Sequence, residues 1–337
     1  MQLLVLGTAV ALGWLLTGWA RQIALQYGIV NAPNPIVPDH REPVAYLGGV
    51  GILAAAFGAM ALYRLINGEG ALLDPHFGAS APALLVGGLL FMLIGLWDDL
   101  REFPPKQKFG LQLAALVVVM SMGGLTREVS GNVFFDNFFA GLWILAMANA
   151  FNFIDVCDGL AGAVAVVTFG LFAVTLSSYP IMATALAGAS LGFLYWNRPP
   201  AKIFMGDAGS NFLGFMIGAF SLTETSGTSW WPYIAMMTLF AGVPFFDLLF
   251  QSGVRIKDKR PWWVGGPDSF ALRLQRAGFG KVAVDLIAIA VAIFFWTSAW
   301  LLPHLNIWGQ VAIIVVVNIF NVLAWRYLRR YEVQPNA

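Results

Sequence analysis

Apolar residues fill long blocks of the chain, and the charges collect in the short polar stretches between them. A helix crossing a hydrocarbon core needs about 20 mostly apolar residues, with a range of about 17–25. Windows of that size predict spans near 1–20, 46–66, 81–97, 109–124, 138–154, 159–176, 180–196, 210–223, 231–251, 282–302 and 307–326. The expected fold is therefore an all-α, polytopic transmembrane helical bundle of about eleven spans. The stretch 138–176 departs most from a simple pair of spans, because polar residues interrupt it at 149–158. The first block lacks a basic leader, shows no evident cleavage site and is followed by Arg21, so it reads as a retained span.

Composition agrees with this pattern. Of 337 residues, 59% are hydrophobic and 11% charged, against about 25% charged in a soluble domain. So few charges cannot coat a soluble fold of this length. The single cysteine, Cys157, excludes an intrachain disulfide and a multi-cysteine zinc site. A formal net charge of +1 says nothing about partners, since the charges sort by side of the membrane; no nucleic-acid partner is expected. No internal boundary is evident, and residues 1–337 read as one integral membrane domain.

The loops orient it. With the amino terminus outside, seventeen Lys and Arg residues fall on the cytoplasmic side, including Arg21, Arg101, Lys106, Lys108, Arg198, Lys202, the run 255–260, Arg273, Arg276, Lys281 and the basic tail. Only Arg64 and Arg127 fall on the other. This is a positive-inside distribution, and it puts the carboxyl terminus in the cytoplasm after an odd number of spans. The longest polar stretch, 252–281, is then the last cytoplasmic loop.

Acidic side chains at membrane depth are costly and usually functional, and here they gather on one side. Asp98, Asp99, Asp155, Asp158, Asp207, Asp247 and Asp268 all fall at cytoplasmic helix ends or loops. The pair Asp98–Asp99 suits a metal ligand beside a proton acceptor, because adjacent carboxylates repel unless a cation is near; the plain alternative is a solvated helix end. In NAFNFIDVCDGLAG (149–162), Asn149, Asn152 and Asp155 are spaced to share a helix face, with Asp158 one turn on. Such a stripe of oxygen ligands suits a hard cation such as Mg²⁺, or else an inter-helix hydrogen-bond ladder. In FMGDAGSNFLG (204–214), Asp207 lies among glycines that let backbone amides approach a phosphate, and Ser210 is a candidate helix cap. Asp247 reads equally well as a buried hydrogen-bonded residue, and His40 as a surface loop residue.

In this order, NAPN and HREPVAYLGG (31–49), DD (98–99), KFGLQ (108–112), NAFNFIDVCDGLAG and NRPPAKIFMGDAGS (197–210), the motifs resemble those of the polyprenyl-phosphate N-acetylhexosamine-1-phosphate transferase family. The resemblance covers about 28–255. It implies Mg²⁺-dependent transfer (with Mn²⁺ as an alternative) of a sugar-1-phosphate from a UDP-sugar to a polyprenyl phosphate, with release of UMP, at the cytoplasmic face of a bacterial inner membrane. N-acetylglucosamine-1-phosphate is the default donor group, and the product would start a cell-envelope glycan. The resemblance makes Asp207 the principal metal ligand, with Asn152 and Asp98 beside it. Asp98 or Asp99 would deprotonate the lipid phosphate or place the metal, and Asp155 and Asp158 complete the catalytic set. The resemblance also puts Lys108 near the phosphates, Asp158, Gly159, Asn197 and Phe204 at the uridine end of the donor, and Asn149 in the substrate cleft, which His40 and its loop border. Homodimers occur in the family.

Three departures stand out. Val156 replaces a glycine after Asp155, and Glu102 replaces a lysine. The family's histidine triplet before Arg273 is absent, since the run reads Asp268-Ser269-Phe270-Ala271-Leu272-Arg273-Leu274. Arg273, Arg276 and the basic run 255–260 are the candidate substitutes on the donor-sugar side. Two other readings follow from the same residues: an ion-coupled transporter with discontinuous polar helices, and a relative that has lost catalysis and acts as a scaffold.

Overall fold

The computed structural model describes residues 1–31, 43–68, 80–123, 125, 130–175, 179–223, 230–261 and 266–332. His40 lies outside the described residues. Thirteen α-helices are described: α1 Gln2–Gln26, α2 Gly48–Asn67, α3 Ala81–Arg101, α4 Pro105–Met122, α5 Val133–Ile154, α6 Leu160–Thr175 and α7 Pro180–Asn197. They continue with α8 Gly206–Thr223, α9 Trp230–Phe240, α10 Gly242–Lys257, α11 Phe270–Arg276, α12 Lys281–Leu301 and α13 Ile307–Leu328.

Each apolar window coincides with one of these helices, except 231–251. That window is two helices, α9 and α10, meeting at 86°. Six helices are long and apolar enough to cross a membrane, or seven if the bent pair is one span. The protein is thus an all-α, multi-pass membrane protein. Large apolar side chains such as Leu3, Trp19, Leu65, Phe134 and Trp308 stand exposed, as lipid-facing positions do.

At the centre stands α8, buried from Ala208 to Leu222 and packed against α3 and α5. Small residues let its neighbours approach. A side chain at Gly95 of α3 would run into the Asp207 backbone, and one at Gly49 of α2 into that of Gly209. Close backbone approach through glycine is the usual device for packing helices in a membrane. Here it draws α2 and α3 onto the first turn of α8.

One small sheet departs from the all-helical expectation. β1 (Val30–Asn31) pairs antiparallel with β2 (Val44–Tyr46), which pairs parallel with β3 (Ile203–Phe204). The sheet ties the segment after α1 to the segment before α8, at the same end of the bundle.

Candidate functional site

Of the carboxylates of the sequence reading, Asp98, Asp99 and Asp207 gather around the amino-terminal turn of α8. Lys108 Nζ, from the first turn of α4, lies 2.9 Å from Asp98 Oδ2 and also contacts Asp207 Oδ2. Asn152, near the end of α5, donates to Asp207 Oδ1 at 2.7 Å and to the Ser210 hydroxyl at 2.8 Å. Three helices besides α8 therefore contribute to one cluster. Its side chains keep about a seventh to a fifth of their surface exposed (14% for Asp98 and Lys108, 22% for Asp207), so the cluster is open to a ligand.

The two adjacent aspartates divide. Asp98 Oδ1 accepts the Phe103 N–H at 2.6 Å, while its Oδ2 faces Lys108. Asp99 instead accepts the N–H groups of Asp207 and Ala208, at 2.8 and 3.0 Å. It therefore caps α8, whose first amides have no partner within the helix. The sequence makes Ser210 a candidate cap; α8 begins earlier, at Gly206, so Ser210 lies one turn into the helix and takes the Asn152 bond instead.

The predicted helical stripe through 149–158 stops short. Helix α5 ends at Ile154, Asp155 is its C-cap, and Asp158 sits in the turn before α6. Asp155 still lies within electrostatic reach of both Asp207 and Asp158. Burial, followed by the charges of Asp207 and Asp158, pushes the Asp155 carboxyl up to about 7. Asn149 points elsewhere: it donates to Gln112 Oε1 at 3.0 Å, and Gln112 donates to Asn211 Oδ1 at 3.1 Å. This buried amide ladder joins α4, α5 and α8 behind the cluster.

A second group lies beside the first. Asp158 Oδ2 accepts from Lys281 Nζ at 2.9 Å and from the Ala201 N–H at 3.3 Å. Asn197 accepts from the Gly159 N–H at 3.0 Å and donates to the Ile203 carbonyl at 2.9 Å. The Phe204 ring meets Tyr46 edge-on. Burial, then the charges of Asp207, Asp99, Asp155 and Asp98, holds the Tyr46 phenol far above its usual range.

Arg273 is not brought to either group. It is buried, 3.6 Å from Asp268, and donates to the carbonyls of Leu328 and Tyr331 at the end of α13. Arg255 and Arg260 also bind Asp268, each at 3.1 Å or closer. Asp247 is buried and accepts from Gln251, Ser269 and the Phe270 N–H. Of the candidate substitutes for the histidine triplet, the guanidinium groups at 255, 260 and 273 thus serve to clamp α11; Arg276, Lys257 and Lys259 are exposed.

Sequence reasoning assigned no site role to Gln112, Asn211, Tyr46 or Lys281. Their signal was weak because each depends on a residue far along the chain. Among the described residues, no three His, Cys, Asp or Glu side chains form a self-sufficient metal site. The donor set nevertheless suits Mg²⁺, which is usually held by one or two carboxylates together with substrate phosphates. Oxygens of Asp98 and Asp207 already converge on one cationic centre, the Lys108 ammonium.

Residues 81–225 match the family model for glycosyl transferase family 4. The chain is 30% identical over 322 residues to a probable undecaprenyl-phosphate N-acetylglucosaminyl 1-phosphate transferase of Bacillus subtilis (strain 168), covering 91% of this chain and 86% of that protein. It is 32% identical over 331 residues to the decaprenyl-phosphate N-acetylglucosaminephosphotransferase of Mycobacterium tuberculosis, covering 86% and 78%. Over a shorter stretch of 172 residues it is 36% identical to a phospho-N-acetylmuramoyl-pentapeptide-transferase of Streptococcus pneumoniae, covering 45% and 53%.

Proposed function

The chain belongs to the polyprenyl-phosphate N-acetylhexosamine-1-phosphate transferases of glycosyl transferase family 4 and is a phosphoglycosyl transferase; on that premise we propose that it moves N-acetylglucosamine-1-phosphate from UDP-N-acetylglucosamine to a polyprenyl phosphate. Undecaprenyl phosphate is the expected carrier, UMP the second product, and the lipid product the start of a cell-envelope glycan. The acetylglucosamine assignment follows the names of the relatives that cover most of the chain. Membership in an enzyme family leaves no support for the transporter reading.

One observation carries the proposal: Asp98, Lys108, Asn152 and Asp207, from four helices, meet at a single partly open point. A phosphate oxygen of the lipid carrier attacks the β-phosphorus of the donor, the bond to the bridging oxygen breaks, and UMP leaves with that oxygen. Phosphoryl transfer of this kind depends on positioning and charge neutralisation. Lys108 supplies a fixed cation beside the phosphates. Asp98 is the candidate proton acceptor for the lipid phosphate, since its Oδ2 faces the partly open Lys108 centre, whereas both Asp99 oxygens cap α8. A Mg²⁺ held by Asp207, Asp98 and the amide oxygen of Asn152 would neutralise the donor diphosphate when bound. Asp158, Gly159, Asn197 and Phe204 form the donor's nucleoside end, and Asp155 lies between the two groups.

In this reading the site faces the cytoplasm of a bacterial inner membrane. The chain crosses eleven times, with α9 and α10 as one broken crossing, the amino terminus outside and the carboxyl terminus inside. The basic residues support this, since Arg21, Lys108, Lys202, Arg273 and Lys281 all contact the site end of the bundle.

Purified protein incubated with undecaprenyl phosphate, Mg²⁺ and a panel of UDP-sugars tests the proposal. UMP release and a polyprenyl-diphosphate sugar are expected with UDP-N-acetylglucosamine, and loss of both on adding EDTA. No turnover with any UDP-sugar would leave the scaffold reading in its place.

A further inference from the structure

The start of α12 carries a charged residue that its own helix does not favour. Lys281 is the first residue of α12, where the helix dipole is positive and a cation is destabilised. Its placement is explained by Asp158, 123 residues earlier in sequence, whose Oδ2 lies 2.9 Å from Lys281 Nζ. The same oxygen accepts the Ala201 N–H. Among the described residues both bonds of the Asp158 carboxylate thus go to Oδ2, and Oδ1 is its remaining acceptor. The side chain keeps 12% of its surface exposed.

The turn that carries Asp158 is pressed against α12. Asp285, one turn after Lys281 on the same face, is buried beside Gly159, and any side chain at Gly159 would collide with its carboxylate. Gly159 holds φ at +83°, a conformation that glycine adopts without steric cost. The geometry of the turn is therefore set from α12 as much as from α5 and α6.

We propose that Lys281 is a positioning residue for the donor nucleotide: by fixing Oδ2 of Asp158 it presents Oδ1 as a lone acceptor for an imide N–H. Uracil carries that donor at N3. Cytosine has an acceptor there, which the carboxylate repels. The inference rests on reading the 158–159 turn as the donor's nucleoside end, and it assigns the choice between uridine and cytidine nucleotides to a pair joining α12 to that turn.

Calorimetric titration of the full-length detergent-solubilised protein with UMP and with CMP tests this, together with KM and kcat for UDP-N-acetylglucosamine. Lys281→Met is expected to weaken UMP by ~10-fold, the scale of one charge-assisted hydrogen bond, while CMP changes little. KM should rise with kcat nearly unchanged, and Lys281→Arg should restore most of the UMP preference. An unchanged ratio of UMP to CMP affinity, or equal loss of both, overturns the positioning role while leaving the transferase reading intact. Wild-type protein that turns over donor but binds UMP and CMP equally also overturns it. Failure of the wild type to bind UMP or release it from any UDP-sugar removes the donor reading and this inference together. If Lys281→Met does not fold, Lys281→Gln and Lys281→Arg carry the same comparison.

Discussion

Asp98 and Asp99 are neighbours in sequence with different partners, and substitutions should separate them. Asp99 satisfies two amides at the start of α8, so Asp99→Ala should cost stability by about 1–2 kcal/mol as well as activity. Asp98→Asn should instead lower kcat with little change in thermal unfolding, since only its contact with Lys108 loses charge. Measuring melting temperature and UMP release on the same preparations checks both. Asp155 makes a pH prediction. Its carboxyl is raised to about 7 in the folded protein, above its unfolded value near 4. Between those values the folded state binds the proton that the unfolded state has lost, so stability falls as pH rises from about 4 to about 7. Melting curves across that range should fall less steeply for Asp155→Asn than for the wild type.

The helices were legible in the sequence, and their ends were not. Long apolar windows found α1 to α8, α12 and α13, because lipid demands that length and composition. The break at Ala241 was hidden: both halves are apolar, and only a close approach of Gly242 to Phe295 marks it. The stripe through Asn149, Asn152 and Asp155 assumed an unbroken helix and was half right, since Asn152 reaches Asp207 while Asn149 turns to Gln112. The carboxylates of the Asp207 cluster were visible because charge is rare in this chain. Lys281 and Asp285 were not singled out as site residues because nothing local distinguishes them from an ordinary charged helix start. Arg273 shows the opposite error: its motif position suggested a ligand, whereas packing made it a clasp on α13. Asp268 is the hub of that clasp: burial raises its carboxyl, and the guanidinium groups of Arg260 and Arg255 outweigh that and hold it below the usual range. Removing one partner of a buried pair usually costs about 3–5 kcal/mol, so Asp268→Ala should loosen α11 and increase protease cleavage near 258–280.

Across the whole molecule, the elements that carry chemistry share one end of the bundle. The carboxyl ends of α3, α5 and α7 and the amino ends of α4, α8 and α12 meet there, as alternating helix direction requires. The opposite end is tied by contacts such as Gln2 to the Ala173 carbonyl and Ser80 to Tyr179. In a Cys157→Ala background, a cysteine introduced by Glu102→Cys should therefore react with a membrane-impermeant maleimide only from the cytoplasmic side, and one introduced by Asn132→Cys only from outside. Labelling of both from one side would refute the proposed orientation.

The central claim is that a sugar-1-phosphate passes intact to a lipid phosphate at the Asp207 cluster. Donor labelled at its β-phosphorus, supplied with undecaprenyl phosphate to wild-type and Asp207→Ala protein, follows that group directly. The account predicts label in the organic-extractable lipid and none in UMP, with the rate reduced on the order of 100-fold in the variant. Label recovered in a water-soluble phosphate, or full transfer by Asp207→Ala, would contradict it.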